Sequence, residues 1–482
     1  MIMKYRFLEI TSFVSGMIIM TLEILGFRLF APYFGYSIYV SGGLIGMIMV
    51  ALAIGYYYGG IIADKKPETQ ILYKIILASS AYIFLIGFFY KDILTFFSGL
   101  GVIYEPLIAT FFIFGLPMIL LSIVSPFIVK LVSKNYKIGM AAGRISSIST
   151  IGSIFGTFLT TFFLIPKVGS HISLYLCGVV LLLTSIIGLF QKNKKYLVFF
   201  LLALLFNSSA TRPEKNVIFQ KDSAYNLVKV TEKEGKLFLI LDNSRWIQSV
   251  YPKDGSINKQ YYYYYMNMGL LISGGKEVLI LGMGAGASAR QMLALFDAKV
   301  DGVEIDPDVV DVSYKYFGLK KDDPRLNIYN EDARQFLRKT KKTYDVVEVD
   351  TFNCAYIPFH LSTKEFFESI GNDLSDQGVL IMNVYSPEKD SENELTDSIG
   401  YTISQTFPSV YILDLGTNNI LFATKSPTTL EFVRSKLKKN TIKELDDLVS
   451  YSSLIKEFKA SAKPTLLTDD KSSIDMMSRG RY

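Results

Sequence analysis

Residues 8–29, 38–62, 71–90, 106–130, 145–166 and 172–190 are apolar runs of bilayer length, and they fill most of the first 190 positions. A hydrocarbon core of roughly 30 Å asks for about 20 such residues per helix. The chain is therefore expected to begin with an α-helical transmembrane bundle, its surface in contact with membrane lipid. A seventh run, "YLVFFLLALLF" (196–206), is half that length, so the bundle is expected to hold six to seven spans. The first run has no small-residue cleavage site after it and reads as a retained span rather than a removed signal.

Loop charge sets orientation. Lys65, Lys66 and Lys74 follow the second run; Lys130, Lys134, Lys137 and Arg144 follow the fourth; Lys192, Lys194 and Lys195 follow the sixth. The alternate gaps hold Arg28, Lys91 and Lys167, one each, and the N-terminus carries Lys4 and Arg6. This asymmetry predicts a multi-pass inner-membrane protein with its N-terminus and even loops in the cytoplasm. Six spans return the chain to the cytoplasm, and a short interfacial segment over 196–206 keeps the soluble half there. Glu23 lies inside the first run with Arg28 near its end. An intramembrane carboxylate is a functional candidate, the alternative being a pairing charge at a helix end. "GSIFG" (152–156) is a GxxxG suited to close helix packing.

Beyond residue 208 the composition becomes that of a soluble protein. The net charge of +6 reflects the membrane loops, so no nucleic-acid partner is inferred. Two cysteines, Cys177 and Cys354, fall in different halves and imply no disulfide framework. Two histidines and two scattered cysteines give no metal-ligand spacing.

"NLVKVTEKEGKLFLILDNSRWIQSV" alternates like short strands, with "EKEGK" as the turn, and predicts a small antiparallel β domain. "KQYYYYYMNMGLLIS" (259–273) reads as a helical approach whose five tyrosines cannot all face one core. Then "EVLILG" is a strand, "GMGAG" a turn with Gly282, Gly284 and Gly286, and "ASARQMLALF" a helix. A second strand ends at Glu304, 20 residues after Gly284, the spacing at which an acid meets ribose hydroxyls in a doubly wound sheet. Two more strands end at Asp332 and Asp350. Ligands of open α/β sheets sit beyond the carboxyl ends of strands, so these acids are expected to share one crevice with the glycine turn. A dinucleotide cofactor is disfavoured, because position 287 is Ala where the fingerprint has its last glycine.

The stretches "SAYNLVKV", "LFLILDNSRWIQS", "YYYYY", "VLILGMGAGAS", "VEIDPDVV", "DPRLNIYNEDARQFL", "YDVVEVDTF", "IPFHLSTKEFF" and "QGVLIMNV" together resemble spermidine synthase, and more closely its bacterial membrane-fused relatives. "GMIIMTLEILGFRLFAPYFG", "ALAIGYYYGGIIAD" and "ISTIGSIFGTFLTTFFLIPKVGS" resemble the spans of those fusions. The resemblance implies a Rossmann-like S-adenosylmethionine-type domain and aminopropyl transfer. An amine attacks the carbon beside the sulfonium of decarboxylated S-adenosylmethionine, and methylthioadenosine leaves. On this resemblance Asp350 is the base and Tyr225 sits near the substrate. Gln248, Gly282, Gly284, Gly286, Glu304, Ile305, Asp332 and Ala333 hold the nucleoside, Glu304 at the ribose and Asp332 at the adenine amino group. Tyr264, Tyr265, Ala285 and Asn353 line the substrate pocket.

Three positions depart from that family. Its glycine turn carries an aspartate where this chain has Ala285, a second aspartate follows the base where this chain has Asn353, and its His-Glu pair is Met266-Asn267 here. Three groups that grip ammonium ions become neutral. The reading is therefore widened to intact S-adenosylmethionine or an unusual amine acceptor.

The expected domains are 1–208 (membrane bundle), 209–258 (small β) and 259–482 (Rossmann-like). The competing functions are a lyase or methyltransferase of the same fold, and a transporter or sensor whose soluble half only binds nucleoside. Whether the chain forms a homo-oligomer is left open. "NCAYIPFHLSTKEFF" (353–367) is expected to form a loop over the crevice and then a helix start, with Ser362 or Thr363 and Glu365 or Glu368 as caps. His360 is expected to bond locally, and 430–482 to be helical cover without chemistry.

Overall fold

The structure, a computed structural model, describes residues 2–35, 37–97, 100, 103–134, 136–190, 216–242, 247–351, 357–385, 394–416, 418–460, 464–472, 474 and 477. They fall into two compact units, Met1–Lys215 and Asn216–Tyr482. The seventh apolar run, Cys354 and Asn353 lie outside the described residues.

The first unit has six helices long and apolar enough to cross a membrane. They are α1 (Ile2–Phe34), α2 (Ile38–Lys65), α3 (Thr69–Phe97), α4 (Tyr104–Val132), α5 (Ile138–Val168) and α6 (Ser170–Phe190). Each runs past the apolar stretch that announced it. Their outward faces stay apolar, with Met49, Phe155, Phe158 and Phe162 exposed, as expected of helices surrounded by hydrocarbon. Two spans contain a wide turn, at Phe111–Gly115 and Thr160–Val168. Pro117 and Pro166 account for both, since each lacks the N–H that would bond the carbonyl four residues back.

Polar side chains knit α1 to α5. Ser12 donates to the Ile145 carbonyl at 3.3 Å, Ser153 to that of Gly16 at 3.2 Å, and Thr160 to the Thr21 hydroxyl at 3.0 Å. A Cβ on Gly152 or Gly156 would strike the backbone carbonyl of Phe13 or Met17, which is why the GxxxG is there. Arg144 pairs with Glu9 at 2.7 Å where the two helices begin. Glu23 is half-buried and Arg28 is buried within this unit.

The second unit opens with a four-stranded antiparallel sheet, β1 (Val217–Asp222), β2 (Leu227–Lys233), β3 (Lys236–Leu241) and β4 (Ser249–Pro252), in that order. Glu234 and Gly235 both have positive φ, the hairpin turn that matches strand twist. A 3-10 turn (Tyr262–Asn267) leads into α7 (Met268–Ser273). The sheet that follows has eight strands in the order β12-β10-β11-β9-β8-β5-β6-β7.

Its parallel half is β5 (Glu277–Leu281), β6 (Lys299–Val303), β7 (Leu326–Tyr329), β8 (Tyr344–Val349) and β9 (Leu374–Tyr385). The helices α8 (Ala287–Leu295), α9 (Pro307–Tyr316), α10 (Ala333–Lys339) and α11 (Lys364–Asp373) connect these strands. The α12 helix (Glu394–Ser404) leads to β10 (Ser409–Asp414) and β11 (Asn418–Thr424), which close the other half antiparallel. After α13 (Leu430–Lys438) and α14 (Asp446–Tyr451), the short β12 (Lys456–Glu457) pairs with β10. The fold class read from the sequence is what forms: six apolar helices, a small antiparallel sheet and a Rossmann-type domain.

The chain runs from β5 outward to β6 and β7, then crosses back to β8 on the other side of β5. The order of strand addition thus reverses between β5 and β8, and open α/β sheets hold their ligands beyond the carboxyl ends of the strands at such a point.

Candidate active site

Gly282 ends β5 at φ 84° and Gly286 precedes α8 at φ 74°. A Cβ on Gly282 would collide with the Asp350 carbonyl, and one on Gly286 with the Leu319 side chain. The first clash matters most, because it fixes the glycine turn directly against the tip of β8. The Asp350 N–H donates to the Leu281 carbonyl at 2.9 Å, so turn and tip are one construction.

Glu304 stands at the end of β6. It accepts from the Gly284 N–H at 2.8 Å and the Asp306 N–H at 3.0 Å. Burial lifts its carboxyl to about 7, outweighing those backbone bonds. Each carboxylate oxygen still has a lone pair to offer a hydroxyl. Asp306 caps α9 by accepting from Asp308 N–H at 3.0 Å, and it accepts from Ser223 at 2.6 Å and Asn226 at 3.0 Å. These two bonds fasten the β1–β2 loop, which carries Tyr225, to the Glu304 corner. Ile305, between them, is 38% exposed.

Asp332 caps α10, accepting at 3.0 Å from the N–H groups of both Arg334 and Gln335, and its other oxygen meets His360 Nε2 at 3.1 Å. Burial alone would raise its carboxyl, but the bonds from His360, Gln335 and Arg334 prevail and hold it below the usual range. His360 thus bonds locally, to a residue of the crevice. Ala333 is buried as the first residue of α10. Behind them Arg334 forks onto Asp469 and donates to the His360 carbonyl at 3.1 Å. The C-terminal segment expected only as cover therefore braces this wall.

Asp350 is reached from the side. Tyr262 OH donates to its Oδ2 at 2.8 Å and Asn383 Nδ2 to its Oδ1 at 3.2 Å. Asn418 in turn donates to Asn383 Oδ1 at 2.8 Å. Burial pushes the Asp350 carboxyl up to about 6 against both bonds. Two residues earlier on the same strand face, Glu348 is buried, accepts from Ser288 at 2.7 Å, and is pushed by burial to about 8. The structure thus gathers Gly282, Gly284, Glu304, Asp332 and Asp350 around one crevice. Gln248 is half-buried beside Ser249, whose hydroxyl accepts from the Ala285 N–H at 3.2 Å.

The four residues expected to line the substrate pocket are placed elsewhere or lie outside the described residues. Tyr264 OH turns away to the Glu444 carbonyl at 2.9 Å, and Tyr265 packs edge-on against Tyr451 at 5.0 Å. Neither reaches Asp350. In a 3-10 turn side chains three apart share a face, so Tyr264 leaves the face of Tyr262, while Tyr265 shares it but lies a full turn further along, against Tyr451. Ala285 is fully buried in an apolar cluster with Val228, Leu239 and Val309, so its methyl packs rather than lines a pocket. Asn353 lies outside the described residues. Tyr225 is 42% exposed on its pinned loop; the hydroxyl at Asp350 belongs to Tyr262.

Tyr262, Asn383, Asn418, Ser288 and Glu348 were missed from sequence. Two of them had a signal: Asn383 in "LIMNVY" and Glu348 in "DVVEVD" interrupt apolar central strands, where an unexplained polar residue is costly.

With this geometry in hand, comparison with known proteins is informative. Residues 259–420 match the family described as "Spermine/spermidine synthase domain". The polyamine aminopropyltransferase of Vibrio vulnificus is 30% identical over 212 residues, which cover 42% of this chain and 70% of that one. The probable polyamine aminopropyl transferase of Bifidobacterium longum is 28% identical over 283 residues. The alignment covers 55% of this chain and 63% of the Bifidobacterium protein's own length. Among solved structures, the spermidine synthase of Thermotoga maritima aligns over 50% of this chain and 84% of that one, at 23% identity and a TM-score of 0.41. The chain belongs to the spermidine synthase-like family of polyamine aminopropyltransferases.

Proposed function

We propose that this protein is a membrane-anchored aminopropyltransferase-like enzyme that acts on an S-adenosyl sulfonium nucleoside. The observation that carries the reading is Asp350, a buried carboxylate at the topological switch point with its ionisation lifted to about 6. A protein that merely binds nucleoside needs no such group. A general base works best when its pKa lies near the operating pH.

The adenosyl group takes the Glu304–Asp332 end, with ribose hydroxyls on Glu304 and the adenine amino group on Asp332. The acceptor amine lies against Asp350. Its nitrogen attacks the methylene carbon attached to sulfur, the C–S bond breaks, and methylthioadenosine leaves with the electron pair. The proton lost by nitrogen goes to Asp350. Tyr262 and Asn383 hold the carboxylate in line, and alignment of this kind supplies much of a transfer rate. Either adenosyl sulfonium, decarboxylated or intact, is a candidate donor. The six long apolar helices support a seat in the membrane, and the charge asymmetry of the loops supports a cytoplasmic side for the charged ones.

Mass spectrometry after incubation with each sulfonium tests the reading. Methylthioadenosine formed only with an added amine supports it. Methylthioadenosine formed without any acceptor indicates a lyase, and S-adenosylhomocysteine indicates methyl transfer. No product under any condition leaves a binding protein.

A further inference from the structure

Among the described residues beside Asp350, Glu348 is a carboxyl that neither nucleoside binding nor the base accounts for. Val346, Glu348 and Asp350 alternate onto the face of β8 that packs toward α7 and the tyrosine turn. The other face carries Val347 and Val349, both fully buried. Glu348 is itself 1% exposed, in a strand where a residue of hydrocarbon would fold more favourably. The groups that face it are Ser288 from α8, Asp350 at the end of its own strand, and Tyr262 from the 3-10 turn. One helical turn beyond Ser288, Gln291 receives the Asn267 amide at 2.8 Å, while the fully buried Asn267 Oδ1 has no hydrogen-bond partner among the described residues.

We propose, resting on the aminopropyl-transfer reading above, that Glu348 is the second anionic contact for a cationic amine acceptor, beside Asp350 and oriented by Ser288. Among the described residues around Asp350, Tyr262, Asn383 and Asn418 are neutral, so without Glu348 one carboxylate would meet a doubly charged amine there. Asn267 Oδ1 offers a further acceptor from the α8 side. Burial keeps Glu348 protonated at neutral pH, with its ionisation at about 8. An ammonium group brought against it favours the carboxylate. The O–H bond of Glu348 then breaks and the proton passes to solvent, about one per amine bound at pH 7. At pH 9 the carboxyl is already ionised and this release fades.

Calorimetric titration of the full chain in detergent, saturated with methylthioadenosine, tests the assignment. The probes are 1,4-diaminobutane and butylamine, each in two buffers of different ionisation heat at pH 7. The wild type is expected to prefer the diamine by about tenfold or more, the scale of one charge-assisted hydrogen bond, and to release about one proton. Glu348→Gln is expected to lose both the preference and the release while methylthioadenosine affinity stays unchanged, which also certifies its fold. Ser288→Ala is expected to weaken the preference partially. A Glu348→Gln protein that keeps preference and proton release overturns the proposal, as does a wild type that binds methylthioadenosine but neither amine. A wild type that fails to bind methylthioadenosine overturns the underlying functional reading, and the proposal with it.

Discussion

The two ends of the crevice hold their carboxylates differently. At one end Glu304 and Asp332 are bonded chiefly by backbone N–H groups of the glycine turn and helix starts. At the other, among the described residues, Asp350 and Glu348 are bonded by side chains, from Tyr262, Asn383 and Ser288. Backbone donors are fixed by the fold and suit a group that binds the same nucleoside in every turnover. Side-chain donors can be exchanged by mutation and can yield to a substrate, which suits the end where a proton must move.

If that contrast is real, the largest effect comes from Asp350→Asn. Turnover should fall by about 10²–10⁴, the usual worth of a positioned base, with nucleoside affinity retained; rapid-quench assay and equilibrium binding check the two halves. Glu304→Gln should do the opposite. It should weaken nucleoside binding by about tenfold or more, as a lost hydrogen bond to a charged group does, and leave the rate at saturation nearly intact.

Tyr262→Phe should cost less, about tenfold in turnover, consistent with one lost hydrogen bond to a charged group. It should also carry a directional mark. The Tyr262 hydroxyl lowers the Asp350 ionisation, so its removal should move the acid limb of the rate profile to higher pH. The smallest effect is expected from Asp332→Ala, which loses a helix cap worth about 0.5–2 kcal/mol and weakens adenine binding; thermal melting with and without nucleoside separates the two.

The same contrast explains what the sequence revealed. Glu304, Asp332 and Asp350 were legible because strand ends, glycine spacing and helix caps are local patterns that carry a fixed geometry. The six long apolar helices were legible for a similar reason, since each shows in the sequence as an apolar run of about bilayer length. Tyr262 was not, because five tyrosines in a row offer no periodicity and the 3-10 turn chose the face. Asn418 reaches Asp350 only through Asn383, across a pairing of β11 with β9 that joins residues 35 apart. Asp469 was passed over as cover, although it anchors Arg334 from 135 positions away. Contacts of that separation are decided by packing, and no local motif announces them.

The central claim is that the buried side-chain-held carboxylate at the tip of β8 takes the proton. Its most direct test is the single-turnover rate of nucleoside-saturated wild-type protein between pH 5 and 8. The account predicts a rate that rises with pH through a midpoint of about 6, as Asp350 ionises, and a limb that vanishes in Asp350→Asn. A flat profile, or the same limb in that variant, would contradict it.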